Sequence, residues 1–168
     1  MSITQIFQKM QRFSIFFFIL MLLGNAGTIT NSVNPEDTPA MTSAEAHDMM
    51  FLALQLKQIG TLVYGKKYDT AIKKLRILEQ KHPQNADIEN YLGFSYRKLG
   101  ELGKSSYHYK NALRINPRHI GALEYQGELF ILYKQFESAR RNLKLIKNIC
   151  GVNCDEYKEL KLALDKAK

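Results

Sequence analysis

Apolar side chains recur at steps of three and four along most of this chain, and a glycine, a proline or a polar pair closes each run. From Ser43 to Tyr64, the residues Met49, Leu52, Leu56, Ile59, Leu62 and Val63 follow that spacing, which marks one buried face of an α-helix. Thr42 and Glu45 stand three apart in front of it, the spacing of a capping box. Gly65 ends the run. A second helix carries Tyr68-Asp69-Thr70-Ala71-Ile72 and stops at His82-Pro83, because the residue before a proline disfavours helical geometry. Asn85 is placed to cap the next helix through its side-chain oxygen. That helix ends at Gly100, and its partner runs from Glu101-Leu102 to Asn116-Pro117. The plan repeats as a helix from about Arg118 to Tyr133, a turn at Lys134-Gln135 and a helix from Phe136 to Ile149. After Cys154 a last amphipathic helix spans Asp155 to about Ala167, with Glu156, Glu159, Lys161 and Lys166 on its polar side. No segment alternates with period two, so strands are not expected. The fold class is all-α, with seven helices.

These helices repeat at a step of 34 residues. Ala71, Ser105 and Ala139 are related by it, as are Tyr68, Leu102 and Phe136. So are Leu75, Tyr109 and Leu143, and Leu78, Ala112 and Ile146. Gly93 matches Gly127, Tyr91 matches Tyr125 and Pro83 matches Pro117. The alternation of small and large side chains has a physical reason. Gly93, Gly127, Ala71, Ser105 and Ala139 let paired helices approach closely. Tyr96, Phe130, Tyr109 and Leu143 then fill the space between neighbouring hairpins. Glycines at 60, 65, 100 and 103 are expected to punctuate helices.

The pattern resembles the tetratricopeptide repeat family. Leu92-Gly93, Tyr96, Tyr109, Ala112 and Pro117 fall at the family's spacing, while Glu89 replaces its usual Trp and Ser105 its usual Ala. The next copy keeps Gly127, Phe130, Ala139 and Leu143, with Leu123 for the Trp and Gly151 for the closing Pro. In the first copy the second half is the strong part. The resemblance covers roughly Leu52 to Lys168. It implies a right-handed α-solenoid of about three helical hairpins, residues 52–85, 86–119 and 120–153, with a C-terminal capping helix at 155–167. It also implies that first helices line a concave groove that holds an extended peptide or a partner helix. The groove positions would be Ala53, Leu56, Val63 and Tyr64, then Asp87, Asn90, Phe94, Arg97 and Lys98, then Glu124, Glu128, Ile131 and Leu132. Phe94 beside Arg97 and Lys98 is the best anchor. The alternative is a solvated groove with links such as Arg97 to Glu128. The basic-and-Asn clamp for C-terminal carboxylates is not reproduced.

The first 26 residues change the picture of where the domain works. Lys9 and Arg12 precede an apolar run of 11 residues, Phe13 to Leu23, and Gly24-Asn25-Ala26 follows. That is the layout of a secretory signal peptide, and it is well short of the roughly 20 residues of a spanning helix. The alternative is an uncleaved anchor in the inner membrane, residues 13–29. Residues 27–42, polar with two prolines, are expected to be a flexible linker to the helical domain at 43–168. Export to the periplasm disfavours nucleic acid as a partner.

The chain carries +8 overall. Without Lys9 and Arg12, 22 basic side chains exceed 16 acidic ones by six. Much of that excess lies on second helices, at Lys73, Lys74, Arg76, Lys110, Arg114, Arg140, Arg141, Lys144 and Lys147. Such a face is either solvated or docks an anionic membrane surface or acidic partner. Cys150 and Cys154 are the two cysteines, in a segment where Gly151 and Asn153 permit a sharp turn. In an exported protein a structural disulfide is expected. The spacing differs from the C-x-x-C of thiol exchange, and a metal would need two further ligands. His47, His82, His108 and His119 have no carboxylate or Cys at ligand spacing and read as surface or connector residues. Neither a nucleophile elbow nor a phosphate loop occurs, and no cofactor is implied. The expected function is therefore a non-catalytic scaffold, with a membrane-anchored assembly factor or an enzyme on a repeat chassis as alternatives.

Overall fold

The structure, a computed structural model, describes residues 41–167, and among them there are seven α-helices and no strand. They are α1 (Ser43–Tyr64), α2 (Tyr68–Lys81), α3 (Ala86–Lys98), α4 (Leu102–Ile115), α5 (Ile120–Leu132), α6 (Phe136–Cys150) and α7 (Asp155–Lys166). The expected signal at 1–26 and nearly all of the 27–42 linker lie outside the described residues. The chain divides between Ala53 and Leu54 into two compact units. In the first, residues 41–53 hold the start of α1. Glu45 accepts from the Thr42 backbone N–H at 2.8 Å, and Thr42 Oγ1 accepts from the Glu45 N–H at 3.2 Å, which completes the capping box. Met49, expected on the apolar face, is exposed.

From Leu54 onward the helix boundaries keep the 34-residue step. Helices α2, α4 and α6 begin at Tyr68, Leu102 and Phe136, and α1, α3 and α5 end at Tyr64, Lys98 and Leu132. Three residues join α1 to α2, α3 to α4 and α5 to α6. The middle one is left-handed each time: Lys66 at φ 60°, Gly100 at 80° and Lys134 at 58°. Its N–H donates to the carbonyl three residues back, at Val63, Arg97 and Ile131, over 2.9–3.0 Å. The following N–H, of Lys67, Glu101 and Gln135, reaches the carbonyls of Leu62, Tyr96 and Phe130 at 2.8–2.9 Å. This is the Schellman pair of bonds, which satisfies carbonyls that a helix end otherwise leaves open. Gly65 was expected to end the first run. The left-handed residue there is its neighbour Lys66, because the bonding pattern fixes the position.

The starts of α3 and α5 also match. Asn85 Oδ1 accepts from the Ile88 N–H at 3.0 Å, and 34 residues on His119 Nδ1 accepts from the Ala122 N–H at 3.1 Å. The cysteines are joined as a disulfide, with Cα atoms 6.0 Å apart. It links the last residue of α6 to the residue that caps α7. Between them Gly151, at φ 81°, has a conformation that a side chain would resist.

Helices α3 and α4 pack together, as do α5 and α6, and α3 also meets α2 and α5. A side chain at Gly93 would begin 2.6 Å from the ring of Tyr109 on α4, so the hairpin closes on that missing Cβ. At Gly127 the neighbour is instead Leu160 of α7, also at 2.6 Å. The nearest contact at Gly127 is thus with the terminal helix and not with Leu143 of its own hairpin. Leu123, Ala139, Ile146, Leu160 and Leu164 form one apolar cluster there, flanked by Phe130 and Leu143. Gly60 and Gly103 do not punctuate: both lie within helices, and Gly60 is buried beside the Tyr91 hydroxyl.

The turn geometry yields a stability test. A left-handed L-residue costs roughly 1–2 kcal/mol, of which a glycine returns roughly 0.5–1 through its freer unfolded chain. Lys134→Gly should therefore raise the urea midpoint, by about 0.5–1 kcal/mol in unfolding free energy, and Gly100→Ala should lower it. A Lys134→Gly midpoint at or below that of the parent would show the turn to be unstrained.

Candidate partner-binding site

Phe94 lies on α3 with Arg97 and Lys98 three and four residues on, the spacing at which helical side chains meet. Both cations rest over its ring, the Arg97 guanidinium 5.4 Å and the Lys98 ammonium 5.0 Å from the centroid. Tyr125 of α5 adjoins both, 4.8 Å from Phe94 between centroids and 5.7 Å from the guanidinium. Arg97 therefore lies against a pair of adjoining aromatic rings, a favourable place for a weakly hydrated cation. Tyr68 of α2 flanks Phe94 at 6.4 Å.

Arg97 Nη2 meets Glu128 Oε2 at 2.5 Å, the link raised in sequence as an alternative to an open groove. The arginine side chain is 9% exposed and the glutamate 27%. Burial opposes the charge on Arg97, but Tyr109 and Glu128 outweigh it and hold its pKa above the ordinary value. Lys98 moves the other way: burial, then repulsion by Arg97, lowers its pKa. Burial pushes the phenols of Tyr109 and Tyr125 up, which keeps both neutral beside the ion pair. The cluster thus offers an aromatic ring, an exposed ammonium on Lys98 and a partly exposed carboxylate on Glu128.

The remaining groove candidates divide. Glu128 and Ile131 are partly exposed, and Lys98, Asp87 and Leu132 are exposed. Leu56 and Tyr64 are half-buried, Val63 is buried, and Ala53 is exposed in the first unit. Asn90 and Glu124, assigned to the groove from sequence, are only 4% and 1% exposed. They are related by the 34-residue step and both turn into the packing. The Asn90 amide lies 3.4 Å from where a side chain on Gly121 would begin. Neither is placed to touch a ligand without movement of α3 or α5.

Two histidines also depart from expectation. His108 is 1% exposed on α4, and its Nδ1 lies 2.7 Å from Oε2 of the buried Glu89 on α3. A carboxylate accepts, so Nδ1 carries the proton. The ring stacks on Tyr96 at 5.4 Å and 10°, with Tyr107 edge-on at 5.1 Å. His119, also buried, caps α5 with Nδ1 and donates from Nε2 to Asp87 Oδ1 at 3.0 Å. The partners are 19 and 32 residues away, out of range of any local spacing rule. The step of 34 carries the one signal available, since it aligns His119 with the capping Asn85.

The nine basic residues singled out on the second helices are all exposed. Two of them are paired along their own helix, Arg76 with Glu79 at 2.7 Å and Arg140 with Glu137. Glu156 lies near Cys150 and Cys154, but two sulfurs bonded to each other leave no thiolate for a metal. No family model matches the chain, and no curated protein is detectably similar to it.

A double-mutant cycle separates the terms at the buried pair. Glu89→Leu strands the His108 ring at a cost of about 1–3 kcal/mol. His108→Leu strands a carboxylate and should cost more, about 3–5 kcal/mol. Changing both to Leu should cost far less than the sum, as read by urea unfolding; strictly additive losses would show that the two do not interact.

Proposed function

We propose that the unit from Leu54 onward is a tetratricopeptide-like right-handed α-solenoid that holds a partner peptide or helix, without catalysis, in the bacterial cell envelope. The observation that carries this reading is the Phe94 ring, bracketed by Arg97, Lys98 and Tyr125 beside a partly exposed Glu128. An aromatic anchor with charges of both signs suits a partner segment that is amphipathic. Residues engaged are Phe94, Arg97, Lys98, Glu128 and Ile131, while Asn90 and Glu124 stay buried in the packing. What supports the repeat assignment is the return of helix ends, caps and left-handed turns at one fixed step.

Export draws support from the Cys150–Cys154 disulfide, a bond that persists in oxidising compartments. No helix among the described residues is long and apolar enough to cross a membrane. We therefore place the domain in the periplasm, with tethering by residues 13–29 as the second form of the same function. The nine exposed basic side chains favour one further contact, with an anionic membrane surface.

Pull-down from an envelope fraction tests the groove. Phe94→Ala, Arg97→Ala and the exposed Lys98→Ala should each lose the captured partner while circular dichroism shows full helicity; undiminished capture by all three would end the proposal. Co-sedimentation with anionic vesicles tests the basic face. It should weaken steeply as salt rises from about 0.05 to 0.5 M, since the Debye length shrinks several-fold over that range; salt-independent sedimentation would dismiss this contact.

A further inference from the structure

We infer that Glu79 of α2, Glu89 of α3 and His108 of α4 form a binding site for a divalent transition-metal ion, zinc being the ion the donors fit. The three ligand atoms lie within 4.8 Å of one another and come from three successive helices. Glu89 and His108 supply the short edge at 2.7 Å. Zinc takes imidazole nitrogen and carboxylate oxygen at about 2.0–2.2 Å, so its tetrahedral edges are roughly 3.3 Å. Small side-chain adjustments therefore bring all three onto one ion. Two carboxylates and an imidazole, with no thiolate, suit a first-row divalent cation better than copper(I) or an iron–sulfur cluster.

The surroundings resemble an outer shell. Arg76 Nη1 holds Glu79 Oε2 at 2.7 Å, and Asn111 Nδ2 lies 3.5 Å from Glu89 Oε2. Tyr96 and Tyr107 fix the plane of the imidazole. Such partners orient ligands before the ion arrives. On binding, His108 gives up its Nδ1 proton and takes one on Nε2, so the imidazole stays neutral and Nδ1 is free to hold the metal. Glu79 is partly exposed and marks the side from which an ion enters.

The repeat itself supplies a second, independent observation. One step of 34 along the chain, the three positions are Leu113, Leu123 and Asn142. Leu113 and Leu123 pack in the apolar cluster of the third hairpin, and Asn142 donates to the Leu123 carbonyl at 3.0 Å. The α4–α5 contact is therefore built with leucines where the α2–α3 contact, one step back, carries two carboxylates. Buried charge of this kind is seldom more stabilising than well-packed apolar side chains. A ligand for the charge gives the donors a use that the packing does not.

The test uses the full-length chain, stripped with a chelator and titrated with zinc chloride by calorimetry and with cobalt(II) by visible absorption. We expect one ion per chain, a higher melting temperature, and cobalt ligand-field bands without thiolate charge transfer. Loss of an outer-shell partner alone weakens metal sites roughly 10- to 100-fold. Glu79→Gln and His108→Gln should weaken zinc binding at least tenfold, while Phe94→Ala binds as the parent does, so this inference stands or falls apart from the groove. Glu79→Gln, at a partly exposed position, keeps the test open if His108→Gln fails to fold. Absence of saturable one-to-one uptake, or equal affinity in the Glu79→Gln variant, overturns the site.

Discussion

Tyr109 lies across the bare backbone of Gly93, and the three-residue turn between α3 and α4 is what brings them opposite each other. The turn has little freedom. Gly100 must be left-handed for its own N–H and that of Glu101 to reach the last carbonyls of α3. With those bonds made, the register of the hairpin is set and no side chain larger than hydrogen fits at residue 93. Phe94, one residue on, is then turned about 100° around the helix, toward Tyr68 and Tyr125. Arg97 and Lys98 follow one turn later over the same ring. The candidate site is thus a consequence of hairpin closure and not a separate construction.

The elements legible in sequence were those written in local chemistry. Asn85 caps, Thr42 and Glu45 form their box, and Asn116-Pro117 stops α4, because each acts within four residues of itself. The Arg97–Glu128 link was legible too, since the 34-residue step puts Glu128 one turn before the equivalent of Arg97 on the next first helix. What failed was contact between distant residues. His108 and His119 find carboxylates on other helices, and no spacing within a helix announces that. Asn90 and Glu124 failed for a narrower reason. The face turned to a ligand and the face turned to the next helix are neighbouring stripes, and a single step of 100° separates them. Gly60 shows the same limit from another side, since a glycine within a helix can mark close packing as readily as an end.

The second and third hairpins solve the same packing problem with different materials. In the third, Leu123, Ile146, Leu160 and Leu164 make an apolar contact, tied at its end by the disulfide. In the second, the Glu89–His108 hydrogen bond and the Arg97–Glu128 ion pair put polar contacts between helices. Apolar contact is insensitive to exact partners, whereas a buried charge is stabilising only while its counter-charge is present. The two regions should therefore open at different free energies, as foldons in one chain commonly do. A ligand that offers a carboxylate to Arg97, or a cation to Glu89, replaces a partner already there. Under the proposed function, recognition falls to the polar pair α3–α4, and the apolar pair α5–α6 is its support.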